Sequence, residues 1–239
     1  MLILRFSLLL FLLVVGPTQA QQLVLTTEDY PPFNMMVSGG SEIVGISTEK
    51  VRELMRRAKE PYTIKLFPWN RAYQMGRAEP RTCVFSTTRT PEREPLFKWI
   101  GPLVKNNWVI FARKNDSRNP HNLDELRDFV LGVYRSDAVG EFLAGRGFKT
   151  DVANYDADNP RKLLYHRFDY WATGELLGLA ILKQQGLTEQ IVPLFQFNQT
   201  EMYLACQIDM PQEKVDMLNR ILREMEKDGT SAAIEQKYR

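Results

Sequence analysis

The chain has 239 residues, with 31 Lys and Arg against 29 Asp and Glu, for a net charge of +2. That balance gives no electrostatic footprint for nucleic acid or for an anionic membrane surface, and the length is ample for one large or two small packed domains. His121, His166, Cys83 and Cys206 are scattered without zinc-ligand spacing, so no metal and no cofactor is expected.

Residues 1–20 read as a secretory signal peptide. Arg5 supplies a weak positive start, Leu8 to Val15 is an unbroken apolar run, and Pro17-Thr18-Gln19-Ala20 ends in a small residue suited to cleavage before Gln21. The run is short for a spanning helix, although a retained N-terminal anchor is the alternative. Export to an oxidising compartment permits a Cys83–Cys206 disulfide. Both cysteines also lie in apolar strand-like runs, which two buried thiols would suit equally.

In chain order, Gln22 to Thr27 reads as a strand, and the prolines of Tyr30-Pro31-Pro32-Phe33 then impose a rigid turn. Tyr30 and Phe33 either stack on a ligand there or close a core edge. Val51, Leu54, Met55 and Ala58 fall on one helical face, with Ser47 or Thr48 available as a cap. Tyr62 to Phe67 alternates as a strand, and Pro68-Trp69-Asn70-Arg71 opens the next helix. Trp69 faces either a cleft or the core.

Val84 and Phe85 end a third strand and deliver a hydroxyl-rich loop, Ser86, Thr87, Thr88 and Thr90, with Pro91 starting a short helix and Arg93 one turn away. Hydroxyls, free backbone N–H groups and an arginine fork suit a small carboxylate. Trp108 to Arg113 is a strand, and polar Asn115 to Asn122 is a linker. A second α/β unit then begins, with strands at Phe129–Tyr134, Thr150–Tyr155, Arg167–Thr173 and Ile191–Phe197. Arg135-Ser136-Asp137 forms a loop before one of its helices, where Asp137 suits an N-cap. Met202 to Ile208 returns as a strand, and Val215, Leu218, Leu222 and Met225 mark a final amphipathic helix.

Strand ends aimed at one crevice in each of two units make a cleft, the usual ligand position in open α/β sheets. The leftover C-terminal strand and helix can complete the first unit. The chain would then cross between lobes twice, as in a hinge.

The ordered motifs Tyr30-Pro31-Pro32-Phe33, Gly45-Ile46-Ser47, Pro68-Trp69-Asn70-Arg71-Ala72, Ser86 to Arg93, Phe97-Lys98-Trp99-Ile100-Gly101-Pro102 and Asp228-Gly229-Thr230 resemble the bacterial periplasmic solute-binding proteins of polar amino-acid ABC importers. The resemblance covers the chain after the signal peptide. It implies an α/β, two-lobed periplasmic binding protein fold with two hinge crossovers (type II-like). Lobe 1 would comprise residues 21–111 plus 199–239, and lobe 2 residues 112–198. It also implies a monomer in the periplasm that captures a small polar carboxylate-bearing ligand, such as an amino acid or organic acid, and presents it to a membrane ABC permease.

By the same resemblance, Arg93 grips the ligand carboxylate, with Ser86 and Thr88 as flanking donors and Tyr30 packed over the ligand. The Ser136–Asp137 loop faces that carboxylate from the second lobe. One departure stands out: the ammonium-binding Asp of amino-acid binders falls on Gly174, beside Glu175. Glu175 or Asp137 would have to substitute, or the ligand lacks an α-amino group. Two alternatives share the fold. One is a ligand-sensing orphan binding protein. The other is a carboxylic-acid dehydratase-like enzyme, for which Glu175 and Asp137 are the acid–base candidates. No Ser/His/Asp or Cys/His set is visible, so the expectation is a binding protein and not an enzyme.

Overall fold

The structure is a computed structural model describing residues 22–37 and 39–238. The signal-peptide reading of residues 1–20 lies outside the described residues. Among the described residues, no helix is long and apolar enough to cross a membrane.

One eight-stranded sheet runs through the molecule in the order β4-β1-β5-β10-β6-β9-β7-β8. On one side lie β1 (Leu23–Thr27), β4 (Tyr62–Leu66) and β5 (Thr82–Thr88), all parallel. On the other lie β7 (Val130–Tyr134), β8 (Lys149–Ala153) and β9 (Tyr170–Gly174), also parallel. Two antiparallel strands of 16 residues each, β6 (Lys98–Arg113) and β10 (Ile191–Cys206), occupy the centre. One end of β10 pairs with β5, and the far end of β6 pairs with β9. These two strands are the double crossover of a two-lobed fold. A hairpin of β2 (Met35–Met36) and β3 (Ile43–Val44) sits outside the sheet.

Among the described residues, seven α-helices pack against these strands. In the first lobe, α1 (Ile46–Ala58) buries Val51, Leu54 and Met55, as its 3.6-residue spacing requires. Gly45 is its N-cap, and no side chain caps it. Ser47 and Thr48 instead lie buried in its first turn, so neither is the cap expected from sequence. α2 (Trp69–Ala78) follows β4. In the second lobe, α3 (Ala138–Gly145), α4 (Asn159–Leu164) and α5 (Glu175–Gln185) follow β7, β8 and β9. The C-terminal α6 (Gln212–Lys227) and α7 (Thr230–Gln236) pack back against α1.

Three further details differ from the sequence reading. β5 extends to Thr88, so Ser86 to Thr88 belong to the strand end and not to a loop. Pro91 lies in a turn, and the short helix after it is a single 3-10 turn at Glu94–Leu96. The two strands expected at Ile191–Phe197 and Met202–Ile208 are one strand, β10, whose register shifts at three places let it bend between the lobes. Where β10 meets β5, Cys206 pairs with Cys83 and the two form a disulfide.

Candidate functional site

The parallel strands of both lobes point their C-terminal ends at one crevice. From the first lobe come Glu28 after β1, Phe67 to Trp69 after β4, and Arg93 after β5. From the second come Tyr134 to Asp137 at the β7–α3 turn and Asn154 to Asp158 after β8. Ser86 and Ser136 both have φ 60°, the left-handed region that β-carbons disfavour.

The two lobes touch across this crevice. Arg93 is 2 % exposed. Its Nε donates to Glu141 Oε2 at 3.0 Å, and its Nη2 lies 2.8 Å from the same oxygen. Nη2 also donates to the Ser136 carbonyl at 2.9 Å. The guanidinium carbon lies 4.9 Å from the Tyr73 ring centroid, within reach of a cation–π attraction. Trp69 Nε1 donates to the same Ser136 carbonyl at 2.7 Å, and Ser136 Oγ donates to Asn70 Oδ1 at 3.1 Å. Tyr134 Oη donates to Glu28 Oε1 at 3.1 Å. Trp69, Tyr73, Phe97 and Trp99 form a row of rings with successive centroids 5.3–5.5 Å apart. That row holds the first-lobe side of the contact rigid.

The residues anticipated from sequence fall into groups. Trp69, Arg93 and Ser136 come together as described. Asp137 caps α3, accepting from Val139 N at 3.0 Å, the role its position suggests. Tyr30 is buried, and its Oη accepts from Asn106 Nδ2 at 3.2 Å. Ser86 Oγ donates to Asn34 Oδ1, and the Thr88 carbonyl lies 3.5 Å from Arg93 Nη1. Glu175, at the start of α5, accepts from Asn107 Nδ2 on β6 at 2.9 Å. Neither residue contacts Arg93.

Position 174, where the sequence resemblance would put an ammonium-binding side chain, has no room for one. A β-carbon on Gly174 would overlap Tyr30 Oη and come within 2.9 Å of Asn106 Oδ1. Tyr30 thus fills the space that a side chain at 174 would need.

Sequence reasoning missed Glu28, Tyr134 and Asp156. Asp156 is buried and takes donors from Trp171 Nε1 at 2.7 Å, Asn159 Nδ2 at 2.8 Å and Thr173 Oγ1. Its acidity is weakened by burial, to a pKa of about 6. Burial likewise raises Asp137 to about 7, the nearby Arg93 opposing the shift and Asp156 adding to it. Glu28 is pushed well above the usual carboxylate range by burial and by the charge of Asp137, against the Tyr134 hydrogen bond. The only local hint of Glu28 was its place just ahead of the Tyr30-Pro31-Pro32 turn.

Between the lobes lies a cavity of about 510 Å³ lined by Glu28, Phe67, Trp69, Tyr134, Tyr155 and Asp156, among others. A larger hollow of about 730 Å³ lies elsewhere, around Pro102, Leu103 and Lys50. It is not at the strand ends, and its buried charge, Lys50, is already paired with Glu235 and the Leu103 carbonyl.

Residues 23–239 match the family model for bacterial extracellular solute-binding proteins, family 3. The chain belongs to that family. No curated protein sequence matches it. Among solved structures, this family 3 protein is similar to a histidine kinase sensor domain described as resembling periplasmic binding proteins (TM-score 0.84, 20% identity, 91% of this chain and 96% of that one). It is also similar to a mutant of ArgBP from T. maritima (TM-score 0.78, 18% identity, 91% and 94%). A third is the GluR0 ligand-binding core from Nostoc punctiforme in complex with L-glutamate (TM-score 0.76, 15% identity, 90% and 98%). At these identities the likeness speaks for the fold, which the family 3 chain shares over nearly its whole length.

Proposed function

We propose that this family 3 protein is a periplasmic receptor that captures a small polar ligand between its lobes and presents it, as a monomer, to a membrane ABC permease. The observation that carries this reading is the crevice itself. The strand ends of both lobes face one cavity, and hydrogen bonds join them there: the Trp69 and Arg93 side chains donate to the Ser136 carbonyl, and Tyr134 Oη donates to Glu28. Closure of such a cleft around a ligand is a hinge motion, with β6 and β10 as the hinge. Lobe 1 would comprise residues 21–111 and 199–239, lobe 2 residues 112–198, and residues 1–20 would direct export. The family and its solved relatives are binding proteins, which supports a role in binding and not catalysis.

Two solved relatives are named as an ancestral arginine-binding protein bound to arginine and to glutamine. An amino acid held here through Arg93 would have to displace Glu141. Calorimetric titration of the mature chain with amino acids, organic acids, sugars and amines tests the function. Saturable one-to-one binding with a more compact scattering profile is expected. A folded protein that binds none of these classes would refute it.

A second reading is a receptor that reports its ligand to a membrane sensor, in view of the histidine kinase sensor domain among the relatives. Uptake of radiolabelled ligand by cells with and without the chain separates the two. Loss of uptake on deletion supports transport, and unchanged uptake supports sensing.

A further inference from the structure

The elements expected to hold an α-amino acid are already occupied by the protein's own groups. The fork of Arg93 is taken by the Glu141 carboxylate and the Ser136 carbonyl. The N-terminus of α3, expected to face a ligand carboxylate, is capped by the Asp137 carboxylate. The ammonium position at Gly174 is filled by the Tyr30 phenol. A zwitterion would therefore find a carboxylate where it needs a cation and a ring where it needs an anion.

What the cleft does offer is a cavity of about 510 Å³ with one kind of charge. Its lining includes Glu28, Asp29, Asp156 and Asp158 and no Lys, Arg or His. Three arginines flank it from outside the lining: the Arg93 guanidinium lies 6.0 Å from the Trp69 ring centroid, and two others already engage lining residues. Arg71 stacks on the Phe67 ring at 4.2 Å, and Arg135 donates to Asn154 at 3.3 Å. The buried Asp156 spends its oxygens on three protein donors, so it contributes field and not a contact. Glu28 differs. One oxygen accepts from Tyr134, and the other has no donor among the described residues. The rings of Phe67, Trp69, Tyr134 and Tyr155 line the same cavity, the last 57% exposed at its wall. Aromatic faces beside an available carboxylate attract organic cations, through the ring quadrupole and through charge-assisted hydrogen bonds. The volume lies in the range of small-molecule sites.

We propose that the ligand is an organic cation without a carboxylate, such as a linear amine or guanidine, held by Glu28 between the rings of Trp69, Tyr134 and Tyr155. This assignment rests on the solute-binding function proposed above.

The test is calorimetric titration of the mature chain with matched pairs that differ by a carboxylate: agmatine and arginine, cadaverine and lysine, choline and glycine betaine. At least one cation is expected to bind at least about tenfold more tightly than its carboxylated partner. Glu28→Gln should weaken that binding by about tenfold or more, the scale of a lost hydrogen bond to a charged group. Tyr155→Ala, at a position 57% exposed, should weaken it several-fold and serves if Glu28→Gln does not fold. Tighter binding by the carboxylated member of every pair overturns the assignment while leaving a solute-binding function intact. So does binding of acids or sugars alone. A folded chain that binds nothing in any class overturns both.

Discussion

The Arg93–Glu141 contact is the most informative single perturbation, because the two views of the cleft give it opposite signs. In one view Glu141 is part of an interlobe latch. In the other it sits as a placeholder in a carboxylate site. Arg93 is 2% exposed and Glu141 47% exposed. The half-wet partner pulls the value of the pair towards that of a surface ion pair, about 1 kcal/mol. Arg93 keeps its bond to the Ser136 carbonyl in Glu141→Ala, so no buried charge is orphaned. The closed-to-open ratio of the free protein should then fall about fivefold. Single-molecule energy transfer between dyes on the two lobes reads that ratio directly. Agmatine affinity should fall by up to the same factor, in proportion to how open the free protein is. Arginine should gain nothing. If Glu141→Ala leaves closure unchanged and instead raises the affinity for arginine or another carboxylate, the latch is wrong and Arg93 is an acid-binding fork.

Three further outcomes are expected. Gly174→Ala should cost about 1–3 kcal/mol in urea unfolding, because its methyl meets Tyr30 Oη and Asn106 Oδ1, and Tyr30→Phe in the same chain should recover part of it, the Asn106 contact remaining; no recovery would mean the clash with Tyr30 is not the cause. Converting Cys83 and Cys206 to Ala removes a cross-link over a sequence separation of 123. On the chain-entropy account the cost approaches about 5 kcal/mol, and a melting temperature unchanged from the oxidised protein would contradict it. Asp137 and Asp156, with pKa values near 7 and 6, and Glu28, also raised, bind protons more readily folded than unfolded. Their contribution to stability is therefore largest at acidic pH and is lost as pH rises through about 6 to 7. The groups facing them are Arg93, Glu141, Tyr30 and Tyr134. Denaturant melts from pH 5 to 8 should show this slope shallower in Asp137→Asn, and cation binding, which favours the ionised forms, should weaken towards pH 5.

The architecture was legible because the chain repeats its signals. The apolar face at Val51, Leu54 and Met55, the Pro31-Pro32 turn and the restart after Asn122 required only periodicity and turn chemistry. β10 was less readable, since Gln196, Asn198, Gln199 and Thr200 interrupt its apolar pattern where it crosses between lobes and has little to bury against. The site was half legible. Arg93 could be picked out from its hydroxyl-rich strand end and Trp69 as facing either cleft or core, Ser136 came from the family resemblance, and Asp137 could be named as a cap from its place before a helix. What they touch could not. Glu141 lies one turn into α3 and reads as a solvated helix charge until the lobes are brought together. Asp156 reads as a loop residue, since its partners Trp171 and Thr173 arrive from a strand that is its neighbour only in space.

The disulfide also orders the assembly of the molecule. Strands β7, β8 and β9 and helices α3 to α5 form one continuous stretch of chain, so the second lobe has its own elements to hand as soon as that stretch is free. The first lobe does not. Its central strand pairing, β10 against β5, waits for Cys206 to reach Cys83. Until then β5 keeps an open edge, and α1 lacks the helices α6 and α7 that cover it. In a chain emerging from its N-terminus, the lobe begun first is completed last, and its cross-link can form only after the residues of the other lobe have emerged.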